Sequence, residues 1–440
     1  MTLSGGSPRA IVDSVLAGDF APDGQSLALL RFDAQHSLLE YPQGHVILAS
    51  NTGLTYPRVS PDGRGVACLE NPVPGDDRGH VLLVDRNGKA RVLTQDFESI
   101  EGLAWSADGR EIWFSAAQNG IHRSLWSVHP GRPARERLSA PTGLVLMDIA
   151  RNGDALIMRE TVRNTIHGRM AGDPAERDLS WFDFSVVDAI SPDGRVMLFD
   201  EESEGAGPMY AACMRRAEDA GPVRLGDGIP VALSPDGAWV LSFVPTTPQK
   251  LMLLPTGPGQ PRPVNLGTLS YVVPAGTWAS DGRRILVCGS PAGQPPRLWW
   301  LDTGGAAPVP ASPPGYQFSA RAQSRIAPDG RRVLCSNAAG RLVILDLADH
   351  TEQPFPGSTD GLHLVRWTTD GKGFIVFVRG TDRAPVILCD LATGARRTLF
   401  EIPHAAADNL LSLSLTDDLK SYAYSTSQLL DDLYLMRGLH

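Results

Sequence analysis

Cysteine is scarce in this chain and never closely spaced. Five occur among 440 residues, Cys68, Cys213, Cys288, Cys335 and Cys389. No CxxC or Cys/His spacing is present, which excludes the usual zinc-binding patterns. Most lie in apolar runs such as Val287-Cys288 and Leu334-Cys335, where a reduced thiol packs as a small hydrophobe. No stretch approaches the roughly eighteen consecutive apolar residues that a membrane-spanning helix needs. Residues Met1 to Val15 lack the basic start and apolar stretch of a secretory signal. The expected location is cytoplasmic, or extracytoplasmic if the chain belongs to a larger membrane protein. Positive charge is not in excess either: the net charge is −9 and the pI about 5.6. Nucleic-acid binding needs a basic face, so DNA and RNA are poor candidates as partners. Catalytic signatures are missing as well. There is no Gly-x-Ser-x-Gly elbow, no Gly-rich loop with a paired lysine, no His-Arg-Asp loop and no Asp-Phe-Gly. The ten histidines form no HxH or HExxH pair. These absences lead to the expectation that the chain is not an enzyme.

Glycine and proline are plentiful, with 45 and 35 residues. They punctuate one recurring pattern. Its copies are Ala21-Pro22-Asp23-Gly24, Ser60-Pro61-Asp62-Gly63, Ser106-Ala107-Asp108-Gly109, Arg151-Asn152-Gly153 and Ser191-Pro192-Asp193-Gly194. Ser234-Pro235-Asp236-Gly237, Ala279-Ser280-Asp281-Gly282, Ala327-Pro328-Asp329-Gly330 and Thr369-Asp370-Gly371 follow, with a decayed tenth copy at Thr416-Asp417-Asp418. A spacing of about 40 residues is the period of a four-stranded propeller blade. Proline presets φ, aspartate bonds back to the backbone, and glycine takes the positive φ that closes the turn. The repeated aspartates are therefore structural. Four positions before the glycine stands a large apolar residue: Phe20, Val59, Trp105, Ile149, Ile190, Leu233, Trp278, Ile326 and Trp367, with Ser414 as the exception. Three further short apolar runs follow each turn, and no helical period competes.

The predicted fold is all-β: a propeller of about ten four-stranded antiparallel blades. The preferred arrangement is one ring over residues 1–440, with residues 1–12 completing the last blade and removing an open sheet edge. Two smaller propellers are the alternative.

The Ser-Pro-Asp-Gly turns between apolar strands resemble the WD40-like (PD40) repeats of the TolB family, over nearly the whole chain. The ending, Ser421 to Ser425 and then Asp432 to Leu439, is similar to the close of propellers that follow the kinase domain in some bacterial serine/threonine kinases. No kinase domain accompanies it here. The resemblance implies a noncatalytic binding, sensing or scaffold module, a monomer that takes a protein, peptide or small ligand at the channel face. Two alternatives are a metal-dependent hydrolase of the lactonase-like propeller type and a TolB-like partner in an envelope complex.

Loops between the second and third strands of such blades surround the channel mouth. Charged residues there are the candidate ligand site: Asp76, Asp77 and Arg78; Arg159, Glu160 and Arg163; Asp200, Glu201, Glu202 and Glu204; and Arg379, with Asp382 and Arg383 beside it. Carboxylates from neighbouring blades suit calcium, which prefers several oxygen ligands, or a basic peptide. Trp299-Trp300 and Trp181-Phe182 are assigned to packing between blades.

Overall fold

The structure is a computed structural model. It describes residues 11–32, 36–73, 76–203, 206–207, 210–246, 248–318, 325–379, 383–403 and 409–438. Among these the chain is all-β, arranged as consecutive antiparallel sheets of mostly four strands, with no α-helix. This is the β-propeller fold that the repeat predicts.

Each repeat is organised by its turn. In the second copy Ser60 Oγ donates to Asp62 Oδ1 at 2.6 Å and accepts from the amides of Arg64 and Gly65, both at 3.1 Å. Asp62 Oδ1 also accepts from the Arg64 amide at 3.0 Å. The same hydroxyl–carboxylate–amide arrangement recurs at Ser106/Asp108, Ser191/Asp193, Ser234/Asp236 and Thr368/Asp370. Where alanine replaces the hydroxyl residue, as before Asp281 and Asp329, the carboxylate alone holds two amides. Hydroxyl and amide donors stabilise the ionised form, so the Asp62 and Asp193 carboxyls lie below their usual range.

The tenth copy corrects the sequence reading. Thr416 Oγ1 donates to Asp418 Oδ1 at 2.8 Å, and Leu419 takes the glycine's place with φ of 58°. The turn is shifted by one residue from its apparent position. Its large apolar residue is Leu415, fully buried, and not Ser414. The exception disappears.

Among the described residues the ten repeats make nine sheets. The fourth and tenth copies share one sheet, because the strands Ala155–Arg169 and Tyr422–Met436 pair with each other. Tyr422–Met436 thus has a partner on either side, Asn409–Leu415 and Ala155–Arg169. Residues 1–10, most of the segment expected to complete the last blade, lie outside the described residues.

Contacts divide the chain into two compact units, residues 1–161 with 430–440, and residues 162–429. In the first, apolar clusters join the sheets of residues 15–50, 53–92, 99–138 and 143–161 in sequence. In the second, each sheet packs on the next from residue 185 to residue 403, and then on Asn409–Leu415. That last strand packs back on Ser185–Ile190, so the sheets of this unit follow one another in a cycle.

Tryptophans at the repeat position reinforce these junctions. Trp278 Nε1 donates to the Ala232 carbonyl at 3.3 Å, and Trp367 Nε1 to the Arg325 carbonyl at 2.9 Å, each on the preceding sheet. Where the cycle closes, serines do this work, Ser414 and Ser425 fully buried and Ser412 half-buried. The Val187 amide donates to Ser425 Oγ at 2.7 Å, Ser412 Oγ donates to the Val187 carbonyl at 2.8 Å, and the Ile190 amide donates to Ser414 Oγ at 2.8 Å.

Two glycines of the repeat separate backbone strain from crowding. Gly237 has φ of 70° with open space where a Cβ would stand. Gly194 has φ of 69°, and a Cβ there would meet Ser421 Oγ at 2.4 Å. Gly237→Ala should cost about 1–2 kcal/mol, the strain of a left-handed alanine. Gly194→Ala should cost about 1–3 kcal/mol more from overpacking. Denaturant unfolding of both variants checks this; equal losses would refute the crowding at Ser421.

Candidate ligand-binding cavity

Every first strand in the unit 162–429 that is paired through its whole length carries a β-bulge. The register shifts fall between Val187 and Ala189, Pro230 and Ala232, Val272 and Gly276, Leu364 and Arg366, and Leu410 and Ser412. A bulge adds a residue and re-aims its side chain. Of the inserted residues, Asp188, Val231, Pro274, Ala275 and Leu411 line one cavity of about 570 Å³, whereas Val273 and Val365 pack into the core. All of its lining residues belong to this unit.

The cavity carries charge of both signs. Asp188, Asp200 and Glu202 line it, as do Arg325, Arg379 and His363. Asp200 and Glu202 are buried. Arg379 donates through Nη2 to the Leu411 carbonyl at 3.0 Å. The His363 ring stacks on Phe377 at 4.8 Å, and burial together with the Arg379 charge pushes its pKa down, which favours the neutral imidazole. Arg325 is 1% exposed.

The sequence candidates divide among several environments. Asp200, Glu202 and Arg379 reach this cavity. Glu201, between two of them, points the other way, as alternation along a strand requires. It is fully buried and accepts from Ser185 Oγ at 2.5 Å and from the amides of Phe184 and Ser203, both at 3.2 Å. It is a structural anchor for the preceding loop. Arg163 pairs with Asp183 at 3.4 Å, both well exposed. Arg383 pairs with Glu401 at 3.3 Å. Glu204 and Asp382 lie outside the described residues. Trp181 and Phe182 stack on each other at 4.8 Å and are more than a third exposed. Trp299 Nε1 donates to the Gly289 carbonyl within its own sheet at 3.0 Å.

The remaining candidates belong to the other unit. There Arg123, which sequence reasoning missed, is the hub. Its buried guanidinium pairs with Asp77 at 3.0 Å, with Glu101 at 3.1 Å and with Glu160, and it donates to Ser99 Oγ at 2.7 Å. Arg78 pairs with Glu98 at 2.7 Å, and Arg159 pairs with Asp432. Burial pushes the Glu101 and Glu160 carboxyls up, partly offset by Arg123. Three acids satisfied by one arginine form an internal ion-pair network. Among the described residues no group of three His, Cys, Asp or Glu side chains is arranged to hold a metal, calcium included.

Arg325 and the bulge residues were also missed. The signal available was position: Asp188 and Val231 both stand six residues before the turn glycine. A bulge does not announce itself in composition, so the sequence pointed to loops instead.

No protein-family model and no curated protein matches the chain. Solved structures do resemble it. A TolB of Agrobacterium tumefaciens is 19% identical, with 61% of this chain and 99% of that chain covered and a TM-score of 0.43. The tricorn protease is 10% identical, with 95% and 58% covered and a TM-score of 0.38. An oligogalacturonate lyase in complex with manganese is 13% identical, with 64% and 77% covered and a TM-score of 0.38. These likenesses concern the fold. They also correct one expectation, that the chain is not an enzyme, because a protease and a lyase are among the similar structures. The missing serine-elbow and kinase motifs exclude two kinds of machinery and leave catalysis by this fold open.

Asp76 supplies a titration test in the unit 1–161 with 430–440. Burial pushes its carboxyl up to about 6, beyond what the Arg78 amide and charge recover. A folded pKa above the unfolded 3.8 favours the folded state at low pH, and that contribution is lost as pH rises through about 6. Asp76→Asn should therefore raise stability at pH 8 by about 1–3 kcal/mol and leave it unchanged at pH 4. Unfolding midpoints at the two pH values decide; an equal effect at both would refute the assignment.

Proposed function

We propose that this chain is a ligand-recognition propeller whose site is the cavity of the unit 162–429. One observation carries the reading: side chains from successive sheets, several aimed by bulges, converge on a single space of about 570 Å³. That volume is typical of sites for small molecules or peptide segments. Charge of both signs in a partly apolar wall supplies orientation. The occupant is a small molecule or a peptide segment of a protein partner. The similarity of the C-terminal run to kinase-linked propellers supports a sensing role in signalling.

A substitution that fills the cavity distinguishes this site from the rest of the surface. Val231 stands on a bulge, is partly exposed and lines the cavity. Val231→Trp should fold and leave less room. Thermal-shift screening of a library of small acids, bases, sugars and short peptides should find stabilising compounds for the wild type that lose their effect on Val231→Trp. Compounds that stabilise both proteins equally, or no stabilising compound at all, would refute the proposal.

A further inference from the structure

Among the described residues Arg325 is a charge without a counter-charge. Its Nε, Nη1 and Nη2 have no hydrogen-bond partner among the described residues, and it is 1% exposed. It sits in an apolar neighbourhood of Ala275, Cys288, Phe318, Ile326 and Cys335. The guanidinium lies over the Phe318 ring at 4.4 Å, a contact that compensates only part of the lost hydration. Burial lowers its pKa to about 10, so it stays charged at neutral pH. The neighbouring thiols of Cys288 and Cys335 are pushed up to about 11 and about 12 by burial and remain neutral.

The repeat offers an internal comparison. Arg325 stands five residues before its turn glycine, and the ninth copy has Arg366 at the same position. Arg366 pairs with Asp417 of the following copy and donates to the Leu415 carbonyl at 3.1 Å. Asp417 stands two residues before Leu419, which holds the glycine's place; the matching position in the copy after Arg325, two before Gly371, is Thr369, which offers no carboxylate. One arginine is neutralised within the fold, and the other faces the cavity.

A buried, unpaired cation is costly, and folds retain one where a bound anion supplies the missing charge. The anion must also suit the remaining wall. Arg325 and Arg379 contribute two positive charges to the lining, and Asp188, Asp200 and Glu202 contribute three carboxylates. A phosphate would bring two negative charges toward that acidic side. A single carboxylate with an ammonium group elsewhere in the molecule satisfies both. We propose that the cavity binds a zwitterion, an amino acid or short peptide with free ends, with its carboxylate on Arg325 and its ammonium group toward Asp188, Asp200 and Glu202. Arg guanidinium and carboxylate match as a two-pronged pair. This inference rests on the cavity being a ligand site.

Calorimetric titration of the full chain with Ala-Phe, Ala-Phe amide, N-acetyl-Ala-Phe, free alanine and inorganic phosphate tests it. Ala-Phe should bind, the amide and the N-acetyl form should each bind about ten- to a hundred-fold more weakly, and phosphate should not compete. Free alanine binding as well as Ala-Phe identifies an amino-acid site, and weaker binding a peptide site. These comparisons use the wild type alone. Arg325→Met should abolish Ala-Phe binding and melt at or above the wild-type temperature, since it removes an unpaired charge; Arg325→Lys should bind more weakly than the wild type. Blocked ends that bind as well as free ones, phosphate that binds better, no binding by any probe, or unchanged binding by Arg325→Met would overturn the inference. If the library screen then still finds compounds excluded by Val231→Trp, the cavity remains a ligand site and only the zwitterion is wrong. If that screen is empty too, both fall.

Discussion

A hydroxyl and a carboxylate two residues apart govern most of this molecule. In the turn at Ser191 and Asp193, the Ser191 oxygen donates to Asp193 and accepts the Val196 amide at 2.9 Å, while Asp193 accepts the Arg195 amide at 3.0 Å. The Ser191 carbonyl also accepts the Gly194 amide at 2.9 Å, and the chain leaves the bend in a fixed register. That register decides which residue four positions upstream enters the interface between sheets. Trp105 and Trp367 are placed this way, each with an indole N–H that finds a carbonyl on the sheet before. The turn is local, and its consequence is the packing of one blade on the next.

The bulges act against this regularity. Each interrupts the ladder a few residues before the interface position, and several turn a side chain toward the cavity. The amide at the irregularity needs an acceptor, and in two places a buried serine of the preceding sheet provides it. Val187 donates to Ser425 at 2.7 Å, and Leu146 to Ser115 at 2.8 Å, within different units. A buried hydroxyl is stable only when so engaged. The polar residues in the apolar second strands thus have a structural reason that composition hides.

The fold was largely legible because its determinant is a short, recurring motif whose chemistry is local. The tenth copy was harder to see because Leu419 occupies the glycine's place, which a motif search does not expect. The site was legible only in part. Asp200, Glu202 and Arg379 follow from their place at strand ends, whereas Glu201 looks the same in the sequence and faces the interior. Asp77 and Glu160 were read as ligands, and their partner, Arg123, comes from a third segment that no local pattern links to them. Arg325 differs from Arg366 only in what stands about fifty residues further on. Pairings of that range are decided by tertiary structure.

The paired strands Ala155–Arg169 and Tyr422–Met436 have a consequence for the order of assembly. Residues 162–429 are an insertion within the other unit, which draws on residues 1–161 and 430–440. During synthesis the segment Leu430–Met436 emerges after all of residues 162–429. The sheet begun by Gly143–Ile149 must therefore wait, with one edge open, for more than half the chain to be made. An exposed edge is an invitation to mispairing. The inserted unit, whose own first and last strands meet through Ser412, Ser414 and Ser425, has every strand it needs once residue 429 is out.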